Sequence, residues 1–147
     1  MLGRTGIVHY HKHVSDIELR IILDRIAISL GTNIIVHSGD RDFRPKGSPK
    51  KSLHLAHRAA DVHADGLSDT ALFDLLRAKE KEIFHSLLHR YEVIHHGKFT
   101  ETEGEHVHIA EYHLIQAEEA GTGVIFKVEG MTPATKGKYQ KLAPNPD

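Results

Sequence analysis

Residues 15–37, SDIELRIILDRIAISLGTNIIVH, place a helix directly before a strand, and this junction sets the fold class. Ser15 stands at the expected N-cap, and Glu18, three residues on, completes a reciprocal capping box. Ile17, Ile21, Ile22, Ile26 and Leu30 recur at helical spacing and form the expected apolar stripe. Gly31 is suited to the left-handed residue that ends a helix. Asn33 to His37 is short and rich in β-branched residues, which predicts a buried strand.

Outward from this unit, residues 5–14 alternate loosely and predict a first strand. His9, His11 and His13 share one of its faces and read as a polar sheet edge rather than a metal site. Residues 39–51, GDRDFRPKGSPKK, are a loop. A strand is expected over 59–64 and a long helix over 69–89. The helix's core face would be Leu72, Leu76, Ile83 and Leu87, with Phe73, Phe84 and Leu88 beside it. His85 and His89, four apart but lacking the Glu of H-E-x-x-H, read as helix surface or helix end. Two strands, 91–95 and 106–114, flank a polar connection, and a further strand is expected at 124–128. From Thr132 the chain carries three Pro and little apolar content, so a domain over 1–131 and a loosely held tail over 132–147 are expected. Helices and strands mix without regular βαβ alternation, which predicts an α+β fold with a mainly antiparallel sheet.

A chain of 147 residues fits one domain. At that length about 68–70% of the extended surface is buried on folding. The absence of cysteine excludes disulfides, thiolate-bound zinc and a thiol nucleophile. A net charge of −1 with scattered Lys and Arg gives no basic stripe for nucleic acid. No run approaches the roughly 18 apolar residues that span a bilayer, so no membrane partner is expected. The first 15 residues lack an apolar signal core, so the chain as encoded is expected to be cytoplasmic. The unusual feature is 14 histidines, the commonest metal-ligating side chain.

Two segments concentrate the chemistry. In SLHLAHRAADV, residues 52–62, His54 and Asp61 offer a ring nitrogen and a carboxylate. In EHVHI, residues 105–109, His106 and His108 point to one face of a strand, and either completes a His/Asp/His set. Three such ligands with one open position are the arrangement of catalytic zinc. Water on the metal has its pKa lowered to about 7 and needs a neighbouring base. Glu105 is the natural candidate, with Glu101 and Glu103 as rivals in the same connection.

The run Ser52-x-His54-x-x-His57-x-Ala59-x-Asp61 resembles the S-x-H-x-x-G-x-A-x-D motif of the zinc D-Ala-D-Ala carboxypeptidases. That family includes the D-Ala-D-Ala dipeptidases of vancomycin resistance and the L-alanyl-D-glutamate endolysins of phages, and it shares the hedgehog/DD-peptidase fold. The resemblance implies one zinc per chain held by His54, Asp61 and His108, with Glu105 as the catalytic base of an E-x-x-H motif. Ser38-Gly39-Asp40-Arg41 is similar to the family's S-G-x-R, which gives Arg41 a role on the substrate carboxylate or scissile carbonyl. Ser52 and His106 complete the implied substrate contacts. His57 departs from the pattern by standing where the motif has glycine. The implied substrate is a peptidoglycan stem peptide or a D-amino-acid dipeptide, reached by phage-type delivery to the cell wall. The alternative is a non-catalytic zinc module of the same fold that binds a peptide or protein partner. Glu105, the intact base, favours the enzyme. Oligomeric state is not legible.

Overall fold

The computed structural model describes residues 6–40, 58–112 and 124–143. Alternation and helical periodicity give β1 (Val8–Tyr10), α1 (Ile17–Leu30), β2 (Ile34–Ser38), β3 (Ala59–Ala64), α2 (Asp69–Ala78), α3 (Glu80–Ile83), β4 (Arg90–His96), β5 (His106–Tyr112), β6 (Ile125–Glu129) and β7 (Tyr139–Lys141). The described strands form one seven-stranded sheet in the order β1-β2-β3-β5-β4-β6-β7.

The fold is α+β as expected, but the sheet is mixed rather than mainly antiparallel. β1 and β2 pair in parallel, as do β4 and β6. The first pair follows from topology: α1 carries the chain back to the end where β1 began. The second arises because β6 lies beside β4, whose neighbour on the other side, β5, runs opposite to it. Of the strand expected over 5–14, Val8–Tyr10 forms β1 at the border of the described sheet, and His11 and His13 lie beyond it. Part of the segment read as a tail is ordered: a 3₁₀ turn over Pro133–Thr135 leads into β7, which pairs with β6.

α1 begins one residue later than expected. Asp16 is its N-cap and accepts from Leu19 N at 2.9 Å. Glu18 therefore does not close a capping box on Ser15; its carboxylate reaches residues 88–91. The buried stripe is also rotated. Leu19, Ile22, Leu23, Ile26 and Ala27 are buried, whereas Ile17 is 75% exposed and Ile21 44%. Gly31 does end the helix, at φ 63°. The predicted long helix is interrupted: α2 stops at Ala78, α3 covers one turn, and Ser86 adopts φ 55°. His85 and His89 thus lie beyond the helices.

The core is a single cluster between the helices and one sheet face, with Ile34, Val36, Ala60, Val62, Val93, Val107 and Ile109 facing Leu19, Ile22, Ile26, Leu72 and Leu76. Strand alternation sends every second residue to the opposite face. That face receives Asp61, His63, Glu92, Ile94, His96, His106, His108, Lys127 and Glu129, aligned by register.

Candidate metal centre

Asp61 of β3 stands opposite His108 of β5 in the ladder, so both side chains leave the same face side by side. His108 Nδ1 lies 2.9 Å from Asp61 Oδ1, and His106 Nε2 lies 3.5 Å from the same oxygen. Asp61 is 4% exposed and His106 6%. A separation of 2.9 Å is a hydrogen bond as it stands. Two ligands sharing a tetrahedral ion stand farther apart, roughly 3.3–3.6 Å, so the pair would open slightly to take one.

Three further imidazoles extend this pair into a continuous row. A bulge places Val36 opposite Val62 but Ser38 opposite Asp61, so β2 spends two residues where β3 spends one. Such a bulge re-aims a side chain. His37 consequently stacks on His63 at 4.5 Å between ring centres and meets His106 edge-on at 5.6 Å. His96, opposite His106 in the β4–β5 register, lies 4.6 Å from the His106 ring and 6.1 Å from the His108 ring.

These rings are not electrostatically equivalent. Burial pushes His37 down to about 4 against the pull of Asp61, and the neighbouring His63 and His106 push the same way. His96 is likewise pushed down to about 4, chiefly by burial, despite its bond to Glu129. His106 goes the other way: burial opposes its charge, but Asp61 and the Gly104 carbonyl outweigh it and raise its pKa. Glu129, fully buried, would be raised by burial; donors from His96, Thr100, Gly137 N and Glu101 N hold it below the ordinary range. His96 Nδ1 donates to Glu129 Oε1 at 2.6 Å, which fixes the ring tautomer.

Glu105 lies at the entrance to β5, and its Oε2 is 3.3 Å from Nε2 of His95, a buried residue on the helix-facing side of β4. Glu101 is directed elsewhere: a Cβ on Gly137 would lie 2.6 Å from its Oε2, and Gly137 sits at φ 73°. Of the implied S-G-x-R motif, the described part is anchored before α1. A side chain on Gly39 would collide with the His13 carbonyl, 2.2 Å from the added Cβ, so glycine is required there. Asp40 N donates to that same carbonyl at 2.8 Å, and Asp40 Oδ2 accepts from Ser15 N at 3.2 Å. Arg41, Ser52, His54 and His57 lie outside the described residues. The structure therefore brings Asp61, His106 and His108 together and sets Glu105 against His95.

A second group was not legible in the sequence. Glu18, His89 and Glu111 could hold a metal ion, since one ligand atom from each lies within 4.8 Å of the others. They belong to the helix side of the sheet. Glu18 had read as a capping residue and His89 as a helix end, and no local spacing links them, because His89 and Glu18 are 71 positions apart. Burial, together with a bond to Asp16, raises Glu111 to about 8.

No described helix is long and apolar enough to cross a membrane. Comparison of the chain with family models, with curated proteins and with solved structures gave no match in any of the three.

Proposed function

We propose that this chain is a zinc-dependent peptidase of the D-Ala-D-Ala carboxypeptidase and endolysin kind, cutting a peptide bond in a peptidoglycan stem or a related D-amino-acid dipeptide. One observation carries the reading. Asp61 and His108, two of the three ligands implied by sequence resemblance, leave paired strands side by side, with oxygen and nitrogen 2.9 Å apart in a row of imidazoles. His54 is the third ligand.

Zinc bound at these ligands would lower the pKa of water to about 7 and polarise a peptide carbonyl. The remaining tasks belong to side chains of this chain. Glu105 takes the proton of the attacking water and delivers it to the leaving amine, a role worth about 10²–10⁴-fold. As the structure stands, that carboxylate lies 3.3 Å from His95 Nε2 on the helix-facing side of the sheet, so it has to turn toward the Asp61–His108 face to act. Arg41 presents a permanently charged fork to a substrate carboxylate or the developing oxyanion. Ser52 and His106 are the remaining substrate-binding residues. The Glu129–His96 pair keeps a neutral ring in one tautomer beside His106 and His108.

The test is hydrolysis of purified sacculi and of a D-Ala-D-Ala dipeptide by chelator-stripped protein reloaded with zinc. New amino groups or released D-alanine are expected, together with loss of one zinc equivalent in His108→Ala. Folded, zinc-loaded protein that leaves both substrates intact overturns the reading.

A further inference from the structure

We infer that Glu18, His89 and Glu111 bind a divalent transition-metal cation, a second metal site on the sheet face opposite Asp61 and His108. The inference does not depend on the peptidase reading. It begins with spacing. His89 Nδ1 lies 3.5 Å from Glu18 Oε1 and 3.4 Å from Glu111 Oε1. Both separations exceed an N–H···O hydrogen bond of about 2.7–3.2 Å. Both match ligands sharing one ion in tetrahedral geometry, which at bonds of about 2.0–2.2 Å stand roughly 3.3–3.6 Å apart.

The second observation is the nitrogen itself. Nδ1 of His89 is closed off from solvent and, apart from the two carboxylates at 3.4 and 3.5 Å, has no hydrogen-bond partner among the described residues. A buried polar atom left unmatched costs free energy unless something occupies it. A neutral ring with its proton on Nε2 presents a lone pair at Nδ1, aimed between two carboxylates.

Charge supplies the third argument. Glu111 is 2% exposed, and Glu18 and Asp16 crowd the same corner. Glu18 Oε1 accepts from His89 N and Tyr91 Oη, and its Oε2 accepts from Leu88 N. Tyr91 Oη also lies 3.1 Å from Glu111 Oε2, yet one hydroxyl proton serves only one of these carboxylates. Arg20 and Arg25, the nearest basic residues in α1, spend guanidinium bonds on backbone carbonyls instead. A cation would take the place of the proton that Glu111 otherwise holds. One imidazole and two carboxylates suit zinc or manganese better than calcium or magnesium, which prefer all-oxygen shells. The ion would clip the first turn of α1, the segment before β4 and the end of β5 together.

This raises the metal expected per chain from one to two, and the two sites separate by mutation. The experiment uses full-length protein, stripped by chelator and titrated with Zn²⁺ or Mn²⁺, with bound metal counted and Tm followed. In His108→Ala, which disables the first site, one zinc equivalent should remain and Tm should rise with metal. In His89→Gln and Glu111→Gln one of the two wild-type equivalents and its share of the metal-dependent rise should vanish, while the metal-free Tm of His89→Gln stays near wild type. If His108→Ala binds no metal, or if His89→Gln and Glu111→Gln both keep wild-type stoichiometry and Tm response, the site does not exist. Circular dichroism of each metal-free variant distinguishes lost binding from lost fold. Failure of sacculus hydrolysis alone leaves this inference standing.

Discussion

The two faces of one sheet obey different rules. On the helix side, Val107 and Ile109 of β5 are fully buried in an apolar core. On the other side, His106 and His108 of the same strand meet a carboxylate and a row of rings. Hydrophobic burial stabilises the first face and asks only for volume and shape. The second face carries polar groups whose desolvation must be matched atom by atom, a cost tolerated where chemistry needs it. Adjacent residues of one strand are thus expected to differ in what their loss destroys.

The largest contrast is catalytic. Glu105→Gln should retain zinc and fold yet lose about 10²–10⁴-fold in kcat/KM. Steady-state hydrolysis of sacculi with parallel metal analysis checks it. Full activity in Glu105→Gln alongside a dead Glu103→Gln would move the base along the connection.

Next is the strand itself. Ile109→Ala removes a fully buried side chain and should destabilise by about 2–5 kcal/mol, seen as a lower denaturation midpoint. His108→Ala, one residue away, should abolish zinc binding at its site with a much smaller change in the metal-free midpoint. Equal losses would mean the imidazole row is packing and nothing more.

The faces should also titrate in opposite senses. His37 and His96 are held at about 4 when folded, below the ordinary 6.5. The unfolded chain then binds more protons between those values, so stability falls as pH drops from about 6.5 toward 4. Glu111 is raised to about 8 from an ordinary 4.5, so its contribution is present below 4.5 and is lost as pH rises through 8. In metal-free protein, His96→Asn should flatten the acid limb of a Tm–pH profile and Glu111→Gln the alkaline limb. A Glu111→Gln profile with an unchanged alkaline limb would remove that carboxylate from the comparison.

The smallest effects belong to α1. Ile17→Ser and Ile21→Ser should change stability by about 0.5 kcal/mol or less, since both side chains are substantially exposed. Leu19→Ala, between them, should cost about 2–5 kcal/mol. Chemical denaturation of the three variants separates these outcomes.

That pair also shows how far periodicity reaches. The spacing of Ile17, Ile21, Ile22, Ile26 and Leu30 predicts a helix, and a helix forms, but its buried arc includes Leu19 and Leu23 and leaves Ile17 out. With five isoleucines and leucines in the first seven positions of α1, several stripes are equally apolar, and the sheet selects among them. The interruption after Ala78 escaped for a related reason. Residues 79–89 keep apolar spacing, yet Arg25 captures the Ile83 and His85 carbonyls and Glu18 captures Leu88 N and His89 N.

What the sequence determined alone is what depends on near neighbours: the existence of α1, its glycine stop and the approximate positions of β2 to β6. A side chain's hydrogen bond to a backbone a few positions away, or a period of two or 3.6, is set within a handful of residues. Only the tertiary structure decided that β4 accepts β6 in parallel, that a bulge aims His37 at His106, and that Glu18 and Glu111 converge on His89. Those contacts join residues tens of positions apart, and their geometry is created by strand order and register rather than by any local preference.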